Sequence, residues 1–448
     1  MFVIEYEFDH FDLGGIYAPR SVQQLLRTSI YAKINVLECG NQKVNFGATQ
    51  PDIMITENSW KKNLYALFIS QFFYRAGTRS IIPFLPLFVN ELGSANVEST
   101  SLWSGWIFAA PFIVSFLTTP IWGSIGDKYG RKLTALLALF GFVIAQFSMS
   151  LASSLTTLLI AASIQELLGG AYPAAVSLVA ANSPKEKTTD ALSYLQLANA
   201  LGNISGPVMG GILADIFGFS TVFVIVAIIV AVTSLPIIFF VKEETIAKAT
   251  KLYSILDNLK YFTAKKGLVG CGILLLAYTL SVTMMRPSFT LYIQDSFSGL
   301  SKPSTTAGIL FSLFGSAGAA SVALLPLIGK TISSKIKLTG AIIISALMFF
   351  ALTWLKDIYS FALVLIILGF ALGVVLPLIY SLMSDETEQN RKAGVMGIGS
   401  SFQMTGNLVG PITAGYIVTL FGLYFSFIAS GIILALVILL YFFWISHD

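Results

Sequence analysis

The hexapeptide Gly202-Asn203-Ile204-Ser205-Gly206-Pro207 returns, with two apolar replacements, as Gly406-Asn407-Leu408-Val409-Gly410-Pro411, an offset of 204 positions (406 − 202). The same offset carries Gly211 onto Gly415, Phe217 onto Phe421 and Gly218 onto Gly422, and aligns 83–91 with 287–295. A register kept over that distance means that helix and loop lengths were preserved between two copies. Both copies of the hexapeptide lie inside long apolar stretches. The chain is therefore constrained to fold as one membrane unit written twice, in parallel.

Composition agrees with a bilayer as the solvent. Hydrophobic residues make up 55% of the chain and charged ones only 11%, where a soluble domain averages about 25% charged. In hydrocarbon each backbone group must be satisfied internally, so a span needs about 20 apolar residues in a helix. Twelve such stretches are read near 62–89, 102–125, 131–152, 155–181, 190–214, 219–241, 267–293, 304–328, 338–354, 359–384, 393–417 and 422–446. The polar segment 242–266 divides them six and six. The expected organisation is an N-terminal tail over 1–59, a six-helix bundle over 60–241, a connector over 242–266 and a second bundle over 267–446. The fold class is an all-α membrane protein of two pseudo-symmetric bundles. Parallel halves that hold a solute near the midplane are one architecture of secondary transporters.

Basic residues set the orientation, because Lys and Arg collect in loops that stay in the cytoplasm. If the first helix starts inside, one side holds Lys61, Lys62, Lys128, Arg131, Lys132, Lys185, Lys187, Lys330, Lys335, Lys337, Arg391 and Lys392, together with the connector lysines. The other side has only Lys302 and Lys356. Both termini are then expected in the cytoplasm, and the formal charge of +4 is a topology signal rather than a nucleic-acid patch. Cys39 and Cys271 are the only cysteines, and His10 and His447 lie in the tails. No disulfide framework, metal site or cofactor is implied. Leu252, Ile255, Leu256, Leu259 and Phe262 among connector lysines read either as a tether or as an amphipathic helix on the membrane surface. Residues 1–53 lack a span and a signal-peptide pattern, and Met54, at the head of a short polar lead into the first helix, is the candidate initiator.

The loop after the second stretch reads Gly123-Ser124-Ile125-Gly126-Asp127-Lys128-Tyr129-Gly130-Arg131-Lys132. A small residue at Gly123 permits close helix approach, and Asp127 can cap or pair at a neighbouring helix end. The fifth stretch carries Gly202, Gly206, Pro207, Gly210 and Gly211, in which proline kinks and glycines allow tight contact, as a hinge and leak seal require. Gly329-Lys330-Thr331 mimics the end of a P-loop, but Leu324 stands where its first glycine belongs, so ATP hydrolysis is unsupported and the chain is not read as an enzyme.

The first of these motifs resembles the signature loop of the major facilitator superfamily, and the second resembles the antiporter motif of its exporter branch, with Ser193 in place of the leading glycine. Across 60–446 the chain is most similar to the twelve-helix drug:proton antiporter family, especially its MdtG-like multidrug exporters. Pro83-Phe84-Leu85-Pro86-Leu87, Trp103-Ser104-Gly105 and Leu167-Leu168-Gly169-Gly170 add to the likeness. The resemblance implies the major facilitator fold, alternating access and export of a small amphipathic molecule, of multidrug or siderophore-like metabolite type, by a monomer in the inner or plasma membrane against an inward proton flow. It also implies a cytoplasmic latch of Gly123, Asp127, Lys128, Gly130, Arg131 and Lys132. Where the family has Arg-x-x-Gln-Gly in the fourth helix, this chain has Ala162-Ser163-Ile164-Gln165-Glu166.

The missing arginine is matched by charges elsewhere. Arg75 and Arg79, four apart and so on one face, lie in the first helix, and Arg286 precedes Pro287 in the seventh. Charges at membrane depth are costly and mark function or partners. Arg286 stands about 10 Å from the expected helix end, within snorkelling range. Glu166 is expected to be the only acidic residue inside a helix. Two readings stand for it: the proton carrier, or a static partner of Arg75 or Arg79. Gln196 and Asn199 on the fifth helix, with Ser400 and Gln403 opposite on the eleventh, either orient a solute or bond helix to helix. Phe72, Phe73, Tyr74, Met284 and Met285 are candidates for an adaptable lining. Three arginines against one glutamate lead to an expected preference for anionic or zwitterionic solutes. Import of an anion by the same fold, and a sensor that transports nothing, are the alternatives.

Overall fold

The computed structural model describes residues 59–94, 96–167, 171–241, 243, 255–297, 301–327, 332–389 and 391–445. The expectations for the tail with Met54, for the connector at 242 and 244–254, and for 328–331 lie outside the described residues. Among the described residues the regular structure is helical throughout, with no strand.

The first half comprises α1 (Ser59–Ile81), a 3₁₀ turn (Ile82–Phe84), α2 (Leu85–Glu91), α3 (Val97–Tyr129), α4 (Arg131–Ser150), α5 (Leu155–Leu167), α6 (Ala171–Asn182), α7 (Thr188–Phe217) and α8 (Phe219–Phe240). A short helix α9 (Ile255–Ala264) follows, and then α10 (Lys266–Ser296), α11 (Pro303–Leu324), α12 (Ser334–Leu352), α13 (Ile358–Asp385), α14 (Lys392–Phe421) and α15 (Phe425–Ile445). Among the described residues nine helices are long and apolar enough to cross a membrane. Three of the twelve expected spans fall short of that measure for separate reasons. The α1 segment carries Lys61, Lys62, Arg75 and Arg79, the fourth span is described as two pieces, α5 and α6, and the apolar part of α15 counts as Phe425–Leu439.

The repeat is visible in the packing. Within the first half α1 packs most extensively on α7, and within the second α10 packs most extensively on α14, its counterpart 204 positions on. Gly218 (φ 78°) ends α7 and Gly422 (φ 100°) ends α14. Only a residue without Cβ adopts that left-handed turn at no cost, so the preserved glycine pair fixes where each long helix stops. The halves differ at their prolines. Pro83 and Pro86 together break the first helix into a 3₁₀ turn and α2, whereas Pro287, alone at the matching place, sits inside an unbroken α10. A single proline removes one hydrogen bond and bends a helix; two within four residues stop it.

The second half has one continuous apolar core that includes Phe289, Phe349, Phe361 and Phe427, and Phe84 and Leu87 of the first half join it. The connector helix forms over Ile255–Ala264 and packs one side on the second half. Leu256 and Leu259 are exposed, but Phe262 is buried, stacked on Phe402 of α14 at 5.7 Å between centroids, and Asn258 packs against Gly394. Its aromatic residue therefore belongs to the core of the second half.

Candidate functional site

The interior is built on the seam between α1 and α7. Gly202, Gly206 and Gly210, one turn apart, leave room for the α1 backbone: a Cβ on Gly202 would lie 2.7 Å from the Phe72 carbonyl oxygen, one on Gly206 2.5 Å from that of Ala76, and one on Gly210 would collide with Ser80. This approach brings the long side chains of α1 across to the amides of α7. Arg75 Nε donates to Asn199 Oδ1 at 2.9 Å and, one turn on, Arg79 Nε donates to Asn203 Oδ1 at 2.8 Å. Asn199 Nδ2 donates to the Leu195 carbonyl at 2.9 Å, which fixes the amide with its oxygen toward the arginine.

The second half repeats the frame and changes the contents. A Cβ on Gly406 would lie 2.8 Å from Thr279 Cβ and 3.0 Å from the Leu276 carbonyl oxygen, the positions matching Arg75 and Phe72. Thr279 and Thr283 occupy the places of the two arginines, and Thr283 Oγ1 donates to the Gly406 carbonyl at 3.0 Å. Gln403, the counterpart of Asn199, accepts instead from Tyr380 Oη at 2.8 Å. Asn203 and Tyr380 were not among the expected site residues. The repeat itself carried the signal for Asn203, since it is one of the residues copied.

Glu166 lies in the last turn of α5, where backbone carbonyls lack helical partners. Thr118 Oγ1 donates to its carbonyl at 3.3 Å and Trp122 Nε1 to that of Leu167 at 2.9 Å, so α3 closes the helix end. Its carboxylate is hydrogen-bonded by the side chains of Gln165 and Ser115 and lies within the field of Arg75. Gln165 Oε1 in turn accepts from Gln146 Nε2 at 3.1 Å. Tyr74, edge-on to Phe142 at 5.0 Å and 5.9 Å from the Arg75 guanidinium, completes this group and also feels Glu166. Arg79 is within electrostatic reach of both Arg75 and Arg286, and Arg286 of Tyr278. The four intramembrane charges thus form one chain of neighbours running from α5 through α1 to α10.

Several expectations need correction. Helix α10 runs past its expected end at 293 to Ser296, through the polar residues Gln294, Asp295 and Ser296. Helix α7 extends past its expected end to Phe217 and so carries Asp215 in its last turn. Of the two readings for Gln196 and Ser400, the helix-to-helix bond is not met, since Gln196 is exposed and Ser400 bonds back to the Met396 carbonyl at 3.1 Å; Met284 and Met285 are buried in the protein.

Asp215 belongs to a seal that sequence reasoning missed, because the fifth span was ended at 214. Its Oδ2 accepts from Thr305 N and Thr305 Oγ1, both at 2.7 Å, at the N-terminus of α11, a position that favours a carboxylate. Beside it Gly211 faces Ser304, Gly308 faces the Pro207 carbonyl, and Ser312 Oγ donates to the Ile204 carbonyl at 2.6 Å. The pseudo-symmetric seam joins α3 to α14: Gly105 faces the Pro411 carbonyl, Gly415 faces Ser101 and Leu102, and Thr419 Oγ1 donates to the Glu98 carbonyl at 3.4 Å. Thr290 Oγ1 also donates to the Pro83 carbonyl. Each of these hydrogen bonds between the bundles lies in the half of the molecule away from the basic loops.

At the basic end, Gly130 (φ 98°) turns the chain between α3 and α4. The α4 N-terminus is capped from the connector: Glu243 accepts from Arg131 N at 2.7 Å and Lys132 N at 3.0 Å. Arg131 Nη1 donates to the Ser177 carbonyl in the middle of α6 at 3.1 Å and Lys132 Nζ to that of Ile238 at 2.9 Å, placing a cation at the C-terminal end of α8. The side chains of Gly123, Asp127 and Lys128 lie outside the described residues. In the second half Ser333 caps α12, accepting from Ile336 N at 3.3 Å.

Two helical halves joined by a seal over a charged interior have the build of a membrane transporter. The family model of the Major Facilitator Superfamily matches residues 67–398 and again 271–448, and the chain belongs to that superfamily. It is 28% identical to the multidrug resistance protein MdtG of Salmonella paratyphi A over 84% of this chain and 94% of that protein, and 28% identical to MdtG of Enterobacter lignolyticus over 84% and 90%. Among solved structures it is similar to a bacterial homologue of the human lysosomal transporter Spinster, inward-facing and unoccupied, with a TM-score of 0.69, 16% identity, and coverage of 87% of this chain and 97% of that one. It also resembles the human organic anion transporter MFSD10, with a TM-score of 0.60 and 19% identity over 85% and 99%. The chain is a multi-pass membrane transporter, and its substrate is a small molecule.

Proposed function

We propose that this transporter exports small amphipathic molecules by alternating access in exchange for protons, as a monomer in the inner or plasma membrane with the basic loops in the cytoplasm. The observation that carries the reading is the placement of Glu166 inside the span, beside Arg75 and Tyr74. A carboxylate in that setting must be neutralised by a cation or by a proton. Asn199 holds Arg75 at the site, and a solute that engages the guanidinium withdraws its field from Glu166, which then takes a proton. The seal away from the basic loops supports an inward-open resting state in which solute enters from the cytoplasm. The latch residues Gly130, Arg131 and Lys132 bind α4 to α6 and α8 and make the first bundle a unit that rocks as a whole. Likeness to MdtG supports drugs or drug-like metabolites as cargo.

The test is Glu166→Gln in proteoliposomes. Accumulation of a drug panel driven by a pH gradient should be lost, while counterflow, which needs no proton, persists. Unimpaired gradient-driven transport by Glu166→Gln removes this residue from coupling.

A further inference from the structure

We infer that the solute carries an acidic group, a carboxylate or sulfonate, and that this group seats between Arg79 of the first bundle and Arg286 of the second. The inference rests on the transport reading and names the chemistry of its cargo.

The geometry begins at the seal. Thr290 of α10 donates to the carbonyl of Pro83, where the first helix breaks. Arg79 precedes Pro83 by four residues and Arg286 precedes Thr290 by four. Arg286 therefore stands one helical turn inside the contact between the bundles, on the face of α10 that makes it, and Arg79 lies in the last turn of α1, just before the break that carries the contact. Arg79 lies within the field of Arg286. Among the described residues the ion pairs are Lys187 with Asp190 and Arg391 with Glu388, and neither interior arginine has an acidic partner. Both arginines are half-buried despite their depth.

Arg79 spends its Nε on Asn203, which fixes the fork and leaves its terminal N–H groups for a ligand. A guanidinium offers five donors in one plane and matches a carboxylate with two of them. Tyr278, the counterpart of Tyr74 at the 204 offset, adds a phenol beside Arg286. Two cations facing each other across a low-dielectric interior repel, and an anion between them turns that repulsion into a bridge. Since each comes from a different bundle, the anion draws the seal shut, and its departure favours opening at that end.

The experiment uses the purified full chain in detergent, with 1-naphthoate, 1-naphthalenesulfonate and the matched cation 1-naphthylmethylammonium as probes in calorimetric titrations without a proton gradient. The two anions are expected to bind and the cation to bind at least about tenfold more weakly. Arg79→Gln and Arg286→Gln should each weaken anion binding by about tenfold or more, and the double variant should lose little beyond either single one, because both forks hold one group. Arg286→Lys keeps the charge without the fork and should fall between. Equal binding of anion and cation, or full anion affinity in Arg286→Gln, overturns the inference. Gradient-driven efflux of the cation alongside absent anion binding would sink the anion site while leaving the transport reading standing.

Discussion

Replacing Gly206 by alanine tests the seam on which the site is built. The added Cβ would stand 2.5 Å from the Ala76 carbonyl oxygen and 2.8 Å from Arg79 Cβ, where ordinary contact begins at 3.4 Å. The helices must part by roughly 0.9 Å to relieve the closer contact, which stretches the Arg79 to Asn203 bond from 2.8 Å to about 3.7 Å, beyond hydrogen-bonding range. Overpacking of this kind costs about 1–3 kcal/mol, and a lost interhelical hydrogen bond in a membrane protein adds about 0.6 kcal/mol. The expected destabilisation is therefore about 2–4 kcal/mol. Gly406→Ala meets its nearest atoms at 2.8 and 3.0 Å, so the smaller overlap should cost about 1 kcal/mol. Gly315 and Gly397 have nothing within 4 Å of a Cβ, and alanine there should be neutral or slightly stabilising. Equilibrium unfolding in mixed micelles measures all four. If Gly206→Ala is as stable as Gly315→Ala, the close-packed seam is not what holds these helices together.

Other substitutions probe separate parts of the molecule. Gln71 is fully buried on α1 with neither side-chain polar atom partnered, and Leu275 stands at the matching place in the second half; Gln71→Leu should raise stability by about 1–3 kcal/mol in the same unfolding assay, and a loss would mean that the amide has a partner such as buried water. Asp357 caps α13, accepting from Ser360 N at 2.9 Å, and this bond lowers its pKa below the usual carboxylate value. A depressed pKa stabilises above the unfolded value of about 3.9 and is lost as pH falls through the folded one. Asp357→Ala should lower the thermal midpoint at neutral pH, with the gap closing in acid, and a gap independent of pH would contradict the cap. Glu243→Ala should speed hydrogen exchange at the Arg131 and Lys132 amides, which lose their acceptor; unchanged exchange would show that the connector does not cap α4.

The frame of this protein was largely legible in its sequence, because a duplicated pattern of glycines and prolines encodes backbone approach, and backbone approach does not depend on tertiary detail. Gly202 and Gly406 meet the same atoms of matching residues for that reason. Helix ends were harder to read. Asp215 and Ser296 fall beyond the apolar runs that suggested the boundaries, since helices continue past hydrocarbon into polar sequence, and this hid one half of the seal. Side-chain partners across helices were the least legible. The Arg75 to Asn199 bond and the Glu243 cap join residues more than a hundred positions apart, and hydrophobic periodicity carries no information about which polar groups meet.

The seal is made where glycines and serines of one bundle meet main-chain carbonyls of the other, Gly308 on Pro207 and Gly105 on Pro411 among them. A joint written in backbone is indifferent to most of the side chains around it. Selection can then rewrite the interior of such a carrier, exchanging threonines for arginines or a glycine for a glutamate, without re-inventing the gate. The mechanical part is inherited and the chemical part is negotiable, which lets one ancestral machine diverge toward new cargo through a handful of substitutions.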